Sequence, residues 1–286
     1  MERIRARVIA DSINPNGDRL TTVEITFNRY ILAELNTHRM LSKNSASSRA
    51  IPVSRIIRQV WSDPAIPISW GANQAGMQAR SELFGWRRAL ARRLFRSARL
   101  PAIVIAWMLT KVGLHKQVVN RVLEPWVWHT AVVSATEWEN FFRLRLHPDA
   151  QPEFQELARC MKQAIDASVP SPIGWGDWHM PYTDKNDNVV PHLLPLEYSS
   201  DVPVRAWISC ARCARVSYVR QNEKRDPAKD IDMANGLRKS GHWSPFEHVA
   251  QAKSVSLGNF SGWKQLRKFY PTESGKDIGM ETRTVR

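Results

Sequence analysis

Residues 37–49 read THRMLSKNSASSR. A His-Arg pair followed by Ser42, Asn44, Ser47, Ser48 and Arg49 makes a dense set of hydrogen-bond donors with no acid among them. Donors of that kind suit an anionic ligand. From Asn28 to Met40 the pattern predicts a helix, with Ile31 and Leu35 four apart. The stretch therefore stands where a helix gives way to a Ser/Asn-rich loop.

Working outward, the N-terminus predicts a β-hairpin. Ile4, Ala6 and Val8 alternate with Arg3, Arg5 and Arg7, Asn14-Pro15-Asn16-Gly17 supplies a turn, and Val23, Ile25 and Phe27 alternate again. Helical patterns are read from about Ala131 to Ile165, from Val204 to Val216 and from Asp230 to Ser240, with a charged loop over 221–229. HVAQAKSVSL (248–257) reads as a strand, and PSPIGWGDWHMP (170–181) as a break and candidate internal boundary. Strands and helices are mixed rather than alternating, and no glycine-rich phosphate loop is present, so the fold class is α+β.

The chain has 286 residues, 43% of them hydrophobic, and a formal net charge of +14. It is long enough to bury a full core, and its charge favours anionic partners. MERIRARVIADS lacks an apolar signal core, so a cytoplasmic location is expected. The longest apolar run, PAIVIAWML (101–109), is too short to span a bilayer, and no membrane partner is expected. Three cysteines argue against a disulfide scaffold, and the lone Cys210-x-x-Cys213 reads as free thiols rather than a zinc or redox pair. The stretch 81–100, SELFGWRRALARRLFRSARL, is a basic amphipathic helix. The solvated face of a core helix, a membrane-surface role and a nucleic-acid role all stay open for it.

A second dense stretch, SGHWSPFEH (240–248), holds two histidines, a carboxylate and two hydroxyls around Pro245. It offers a general acid/base and polar anchors. His242, Glu247 and His248 are suitable metal-ligand types, but their spacing is not that of a helical zinc pair, and no metal is expected. In the third stretch, 138–154, Arg143 and Arg145 point to different faces of a helix.

Together these residues resemble the flavin-dependent thymidylate synthases (ThyX). The family pattern R-H-R-x-x-S-x-N-x-x-S-x-R is matched at His38, Arg39, Ser42, Asn44, Ser47 and Arg49, with Thr37 replacing its first Arg. G-H-x-[ST]-P-F-E-H is intact at 241–248 and A-R-V-S-[YF] at 214–218. The N-F-L-x-L-R helix is similar to Asn140–Arg145, followed by Ala150, Gln151 and Glu153. The resemblance implies a ThyX-like fold, a mixed antiparallel sheet with long helices, in one catalytic domain over 1–286. It further implies FAD, NADPH and 5,10-methylenetetrahydrofolate as cofactors, dUMP as the pyrimidine deoxynucleotide substrate, dTMP as the product, and a homotetramer with shared active sites.

By that resemblance, FAD meets His38, Arg39, Met40, Asn140, Ser217, Ser244 and Glu247. The nucleotide meets Glu34, Ser47, Ser48, Arg49 and Arg145, and Arg121 joins them on a match at NRVLEP. Arg145 and His242 are the catalytic candidates. Arg145 stabilises the ionised pyrimidine edge, and His242 stands near flavin and folate.

Three departures set this chain apart. ARVSY and GHWSPFEH follow the other motifs instead of preceding them, which implies a circular permutation with 205–286 moved from front to back. FSGWKQLRKF (260–269) then falls where the family's linking helix belongs, and Arg267 is the candidate to supply the cation that Thr37 lacks. Residues 55–115 form a basic helical insertion without counterpart. Within the pocket, Ser134 and Thr136 replace an Asn and an Arg, and Glu34 replaces a Gln. Such changes keep alternatives open: another pyrimidine such as dCMP, hydroxymethyl instead of methyl transfer, or a degenerate nucleic-acid-binding copy.

Overall fold

The computed structural model describes residues 4–184, 187, 202–218 and 226–270, with the side chains of Ser217 and Tyr218 left outside that description. The expected hairpin forms from β1 (Arg5–Ile13) and β2 (Arg19–Asn28), antiparallel from Arg5↔Thr26 to Ile13↔Arg19. Asn14 builds its turn, its Oδ1 accepting from the backbone N–H of Asn16 at 3.0 Å and of Asp18 at 2.9 Å. This is an Asx turn, which lets the side chain replace the missing backbone partners. After β2 the helix α1 covers only Leu32–Asn36, and the chain re-enters the sheet as β3 (Ser42–Ser45). The expected helix to Met40 stops early because the ladder from Ser42 onward gives those polar residues backbone partners.

The insertion follows as α2 (Val53–Ser62), α3 (Gly85–Ser97) and α4 (Arg99–Lys111), then the short α5 (Lys116–Val119). Its own small core is made by Ile56, Val60, Ala102, Ala106 and Leu123. The strand β4 (Trp128–Ala135) comes next and corrects the helical reading that began at Ala131. Ala131 to Ala135 are all buried, so the segment shows no alternation, and a short apolar run of this kind does not distinguish strand from helix by periodicity. α6 (Glu139–Arg145) and α7 (Pro152–Asp166) complete the helical part, with Pro152 at the favoured first helical position.

β5 (Ser171–Pro172) pairs parallel to β1, giving a five-stranded sheet of order β3-β4-β2-β1-β5. α7 lays Phe154, Leu157, Ala158, Met161 and Ile165 on this sheet against Val23, Ile25 and Phe27. That is the main core. β6 (Trp178–His179), β7 (Ala250–Leu257) and β8 (Phe260–Gln265) make a second sheet, order β6-β7-β8. α8 (Val204–Ala214) and α9 (Pro227–Lys239) accompany it, with Trp207, Cys210, Phe246 and Leu266 in a second core. The break at 170–181 thus supplies a strand to each sheet. Residues 221–225 of the expected charged loop lie outside the described residues.

FSGWKQLRKF does not form a second linking helix. Its first six residues are β8, and Leu266–Phe269 is a single 3-10 turn. The reason is Gly262 at φ +79°, a left-handed conformation closed to a right-handed helix. Its carbonyl accepts from Asn14 Nδ2 at 3.0 Å, and Trp263 Nε1 donates to the Asp18 carbonyl at 3.2 Å. The C-terminal hairpin is therefore seated on the turn of the N-terminal one.

A buried polar chain also joins the two sheets. Ser12 Oγ lies 2.9 Å from His179 Nδ1, and His179 Nε2 lies 2.8 Å from Thr22 Oγ1. Thr22 reaches Ser134 at 2.6 Å, and Ser134 reaches His248 Nδ1 at 2.8 Å. Burial pushes both histidines down to about 3, so they are neutral at pH 7. His129 is likewise pushed to about 3 by burial and by Arg29.

Two outcomes follow for stability. A Cβ at Gly262 would collide with Asp18 and Asn14, whereas one at Gly258, also left-handed at φ +67°, meets open space. Gly262→Ala should therefore destabilise the fold by ~1–3 kcal/mol more than Gly258→Ala, beyond their shared strain, and melt at a clearly lower temperature; equal midpoints would contradict the hairpin contact. The depressed histidines stay neutral when folded but protonate near pH ~6.5 when unfolded. Their stability contribution is full above that pH and is lost as pH falls toward 3, by up to ~1.4 kcal/mol per pH unit for each group. Denaturant midpoints across pH 7.5 to 4 check this, and His179→Gln should flatten the slope.

Candidate active site

Asn44, on β3, brings three separated stretches together. Its Nδ2 donates to the carbonyl of Cys213 at the end of α8, at 2.8 Å, and its Oδ1 accepts from Ser244 Oγ at 2.9 Å. Ser42 on the same strand accepts from Gln265 Nε2 at 2.9 Å and Asn259 Nδ2 at 3.0 Å. Gln265 Nε2 also donates to the Glu247 carbonyl at 2.9 Å. The donor-rich stretch, the ARVSY helix and GHWSPFEH thus share one wall.

On one side of β3 a cleft of about 680 Å³ is lined by His38, Arg39, Met40, Trp138, Asn140 and Arg145, among others. Arg145 is held from three directions. Its Nε donates to His38 Nε2 at 2.7 Å, its Nη1 to Glu34 Oε2 at 3.0 Å, and its guanidinium lies 4.3 Å from the centre of the Phe154 ring. His38 is pushed down to about 4, first by burial and then by Arg145, so it acts as a neutral acceptor that orients the cation. Nη2 has no partner among the described residues. A fixed guanidinium with a spare donor is suited to meet negative charge that develops on a bound group. Lys43 backs this corner, donating to the carbonyls of His38 and Leu41.

On the other side a cleft of about 560 Å³ is lined by Asn44, Ser47, Arg49, His242 and Ser244 together with α9. Arg49 is exposed and has no ion pair among the described residues. His242 Nδ1 lies 2.8 Å from Ser240 Oγ, whose own proton goes to the Gly236 carbonyl at 2.7 Å. With Nδ1 engaged by Ser240, Nε2 is the ring nitrogen of His242 with no protein partner among the described residues.

Several expected site residues are engaged by partners within the fold. Ser48 is buried, and its hydroxyl donates to Glu124 at 2.9 Å. Glu124 also takes Arg121 at 2.8 Å and Arg29 at 3.0 Å. Arg267 pairs with Glu247, so its cation meets a carboxylate of GHWSPFEH. Asn140 accepts from Arg143 at 2.8 Å. Ser217's side chain lies outside the described residues. Glu124, Lys43 and Phe154 were not found by sequence reasoning. Glu124 and Phe154 are ordinary helical residues in the chain, and only the tertiary pairing shows their part.

Metal chemistry gains nothing from this geometry. His242 faces a cleft, Glu247 is paired with Arg267, and His248 is buried on Ser134, so the three diverge. Among the described residues no group of His, Cys, Asp or Glu is arranged to hold a metal ion. Burial pushes the thiols of Cys210 and Cys213 up, as inert core groups. No described helix is long and apolar enough to cross a membrane.

Comparison with known proteins adds the family. Among solved structures, the UMP/dUMP methylase PolB from Streptomyces cacaoi bound with 5-Br dUMP aligns at a TM-score of 0.47 with 13% identity, over 58% of this chain and 90% of that one. Thymidylate Synthase X from Helicobacter pylori with FAD and dUMP aligns at 0.35 with 18% identity, over 51% and 67%. No curated protein matches the sequence. The model of the family named thymidylate synthase complementing protein (Thy1) matches residues 20–171, the span that carries THRMLSKNSASSR and the Asn140–Arg145 helix. With more than half its length matched, the chain belongs to the Thy1 family.

Proposed function

We propose that this protein is a flavin-dependent thymidylate synthase, transferring a one-carbon unit from 5,10-methylenetetrahydrofolate to C5 of dUMP to give dTMP. The observation that carries the reading is Arg145, oriented by His38, Glu34 and Phe154 at the edge of a cleft and left with a spare donor. A cation so fixed stabilises the ionised N3–C4=O4 edge of the pyrimidine without reorganising. Arg49 and Ser47 are suited to the phosphate, through charge-assisted hydrogen bonds. His242 Nε2 stands as the proton acceptor near the reacting carbon. Ser48 and Arg121 contribute only if a phosphate draws them from Glu124.

FAD fits the first cleft. Among the described residues the indole N–H of Trp138 is buried there without a partner and exposed Arg39 has no ion pair, so acceptor-rich, anionic groups are called for. His38, Arg39, Met40 and Asn140 would hold it, and FAD when bound, with NADPH, supplies the redox chemistry. Ser244 lines the second cleft, and Glu247, paired with Arg267, lines neither, so within one chain the expected flavin set is divided. A homotetramer with sites shared between subunits reunites such halves. The chain is read as one catalytic domain with the 55–115 insertion and the permuted 205–286 segment. The bonds from Asn44 support the permutation, because they place the C-terminal motifs beside the first one regardless of chain order.

A second substrate, dCMP, is favoured by one feature. The Glu34 carboxylate beside Arg145 is an acceptor, and cytosine presents an amino group where uracil presents a carbonyl.

Turnover assays with NADPH, methylenetetrahydrofolate and either nucleotide test the reading. Arg145→Ala should lower kcat by ~10²–10³-fold, and Arg49→Ala should act mainly on KM for the nucleotide. Wild-type turnover by Arg145→Ala, or no methylated product from either nucleotide, would sink it. Faster conversion of dCMP than dUMP transfers the reading to the second substrate.

A further inference from the structure

Helix α3 packs the opposite way round from the core helix that its sequence allows. Trp86, Leu90 and Leu94 recur every four residues and make one stripe, while Arg88, Arg92 and Arg96 make a second stripe about 200° away. The arginine row lines a cleft against Trp70 and Trp128 of the body, and the Phe95 ring stands edge-on to Trp70 at 5.8 Å. The apolar stripe therefore points away from the protein. No residue of α3 is buried, and Trp86 is 71% exposed. Beside it, α4 buries only Ala102 and Ala106 and leaves Val104, Trp107 and Met108 more than half exposed. Two consecutive helices thus each leave large apolar side chains exposed in number, Trp86, Leu90 and Leu94 on one and Val104, Trp107 and Met108 on the next, where single scattered ones are normal on a surface.

Charge selects the occupant. Residues 80–116 carry nine Lys/Arg and a single acid, Glu82. On α3, Arg87 and Arg93 flank the apolar stripe, and Arg87 and Lys111 lie over the rings of Trp86 and Trp107 at 5.8 and 5.5 Å. A second copy of the same face would set these cations against one another. A nucleic acid would be met by cations foremost, whereas here the foremost groups are indole and aliphatic. Tryptophan and leucine outward with arginine at the margin match the acyl–headgroup boundary of an anionic bilayer.

We propose that the consecutive helices α3 and α4 form a docking surface for anionic phospholipid membranes, with the apolar stripe seated at the acyl boundary and Arg87, Arg93 and Lys111 at headgroup level. This departs from the expectation of no membrane partner: among the described residues no helix is long and apolar enough to cross a bilayer, but a surface-lying pair needs no span. Neither Arg145 nor the clefts beside β3 enter the argument, so it stands apart from the catalytic reading.

Co-sedimentation of the full chain with phosphatidylglycerol-containing vesicles and with phosphatidylcholine vesicles tests it. Binding should be at least about tenfold tighter to the anionic vesicles and should weaken with salt. The double variant Trp86→Ser/Leu90→Ser and, separately, Arg87→Glu/Arg93→Glu should each lose about tenfold or more of that binding. Their thermal midpoints should be unchanged, since neither pair touches a core. Equal or no binding to the two vesicle types overturns the proposal, as does undiminished binding by the serine variant, which would make the contact purely electrostatic. So would single-stranded DNA binding without vesicle binding, or a dimer that the serine variant dissociates while vesicles go unbound.

Discussion

The side-chain amide of Asn44 spans two elements that lie about 170 and 200 residues away in the chain, one through each of its polar atoms. No other residue type of that size offers a donor and an acceptor on one planar group. The strand that carries Asn44 is itself pinned edge-on to β4, and the C-terminal sheet is hung on it by Ser42 and Gln265. Everything placed near the clefts depends on this wall: His38 to Met40 on one side, Ser47 to Arg49 and His242 on the other. The order in which the motifs occur in the sequence does not matter to such a wall, only that they reach it.

Electrostatics then divides the cations of the site into two kinds. Arg145, Arg121 and Arg267 each meet a carboxylate, Glu34, Glu124 and Glu247 respectively, the second of them within Arg121's own helical turn. Arg39 and Arg49 meet none among the described residues and stand exposed. Paired cations are fixed in position, and unpaired ones are ready for an anion. His38 belongs to the first kind although it is uncharged: buried and beside Arg145, it is driven to about 4 and serves as an acceptor. A cluster that reads as a row of positive donors is, in the fold, one oriented guanidinium with neutral and anionic supports.

Much of this was legible in the sequence because it is local. Asn14-Pro15-Asn16-Gly17 specifies the first hairpin, the 3.6 period of Phe154 to Ile165 specifies α7, and THRMLSKNSASSR, which carries the family resemblance, lies inside the span matched by the family model. What failed was either ambiguous or non-local. Ala131–Ala135 is buried on both faces of a sheet and so lacks the alternation that marks a strand. Phe260–Gln265 needed Gly262's seat on Asn14, and Glu124's three partners come from different elements. α3 is instructive in another way: its amphipathic pattern was read correctly, yet the apolar side faces outward, a choice that periodicity alone does not make.

The central claim is that the elements gathered by Asn44 bind flavin and a pyrimidine nucleotide at one site. The most direct measurement is the visible absorbance of the purified protein after saturation with FAD and removal of the excess, read before and after NADPH and again with dUMP or dCMP. The account predicts a retained flavin band that bleaches with NADPH and responds to one of the two nucleotides, and an Asn44→Ala protein that retains little of it. A wild-type protein with no retained band, or one whose band is indifferent to both nucleotides and to the loss of Asn44, contradicts the account.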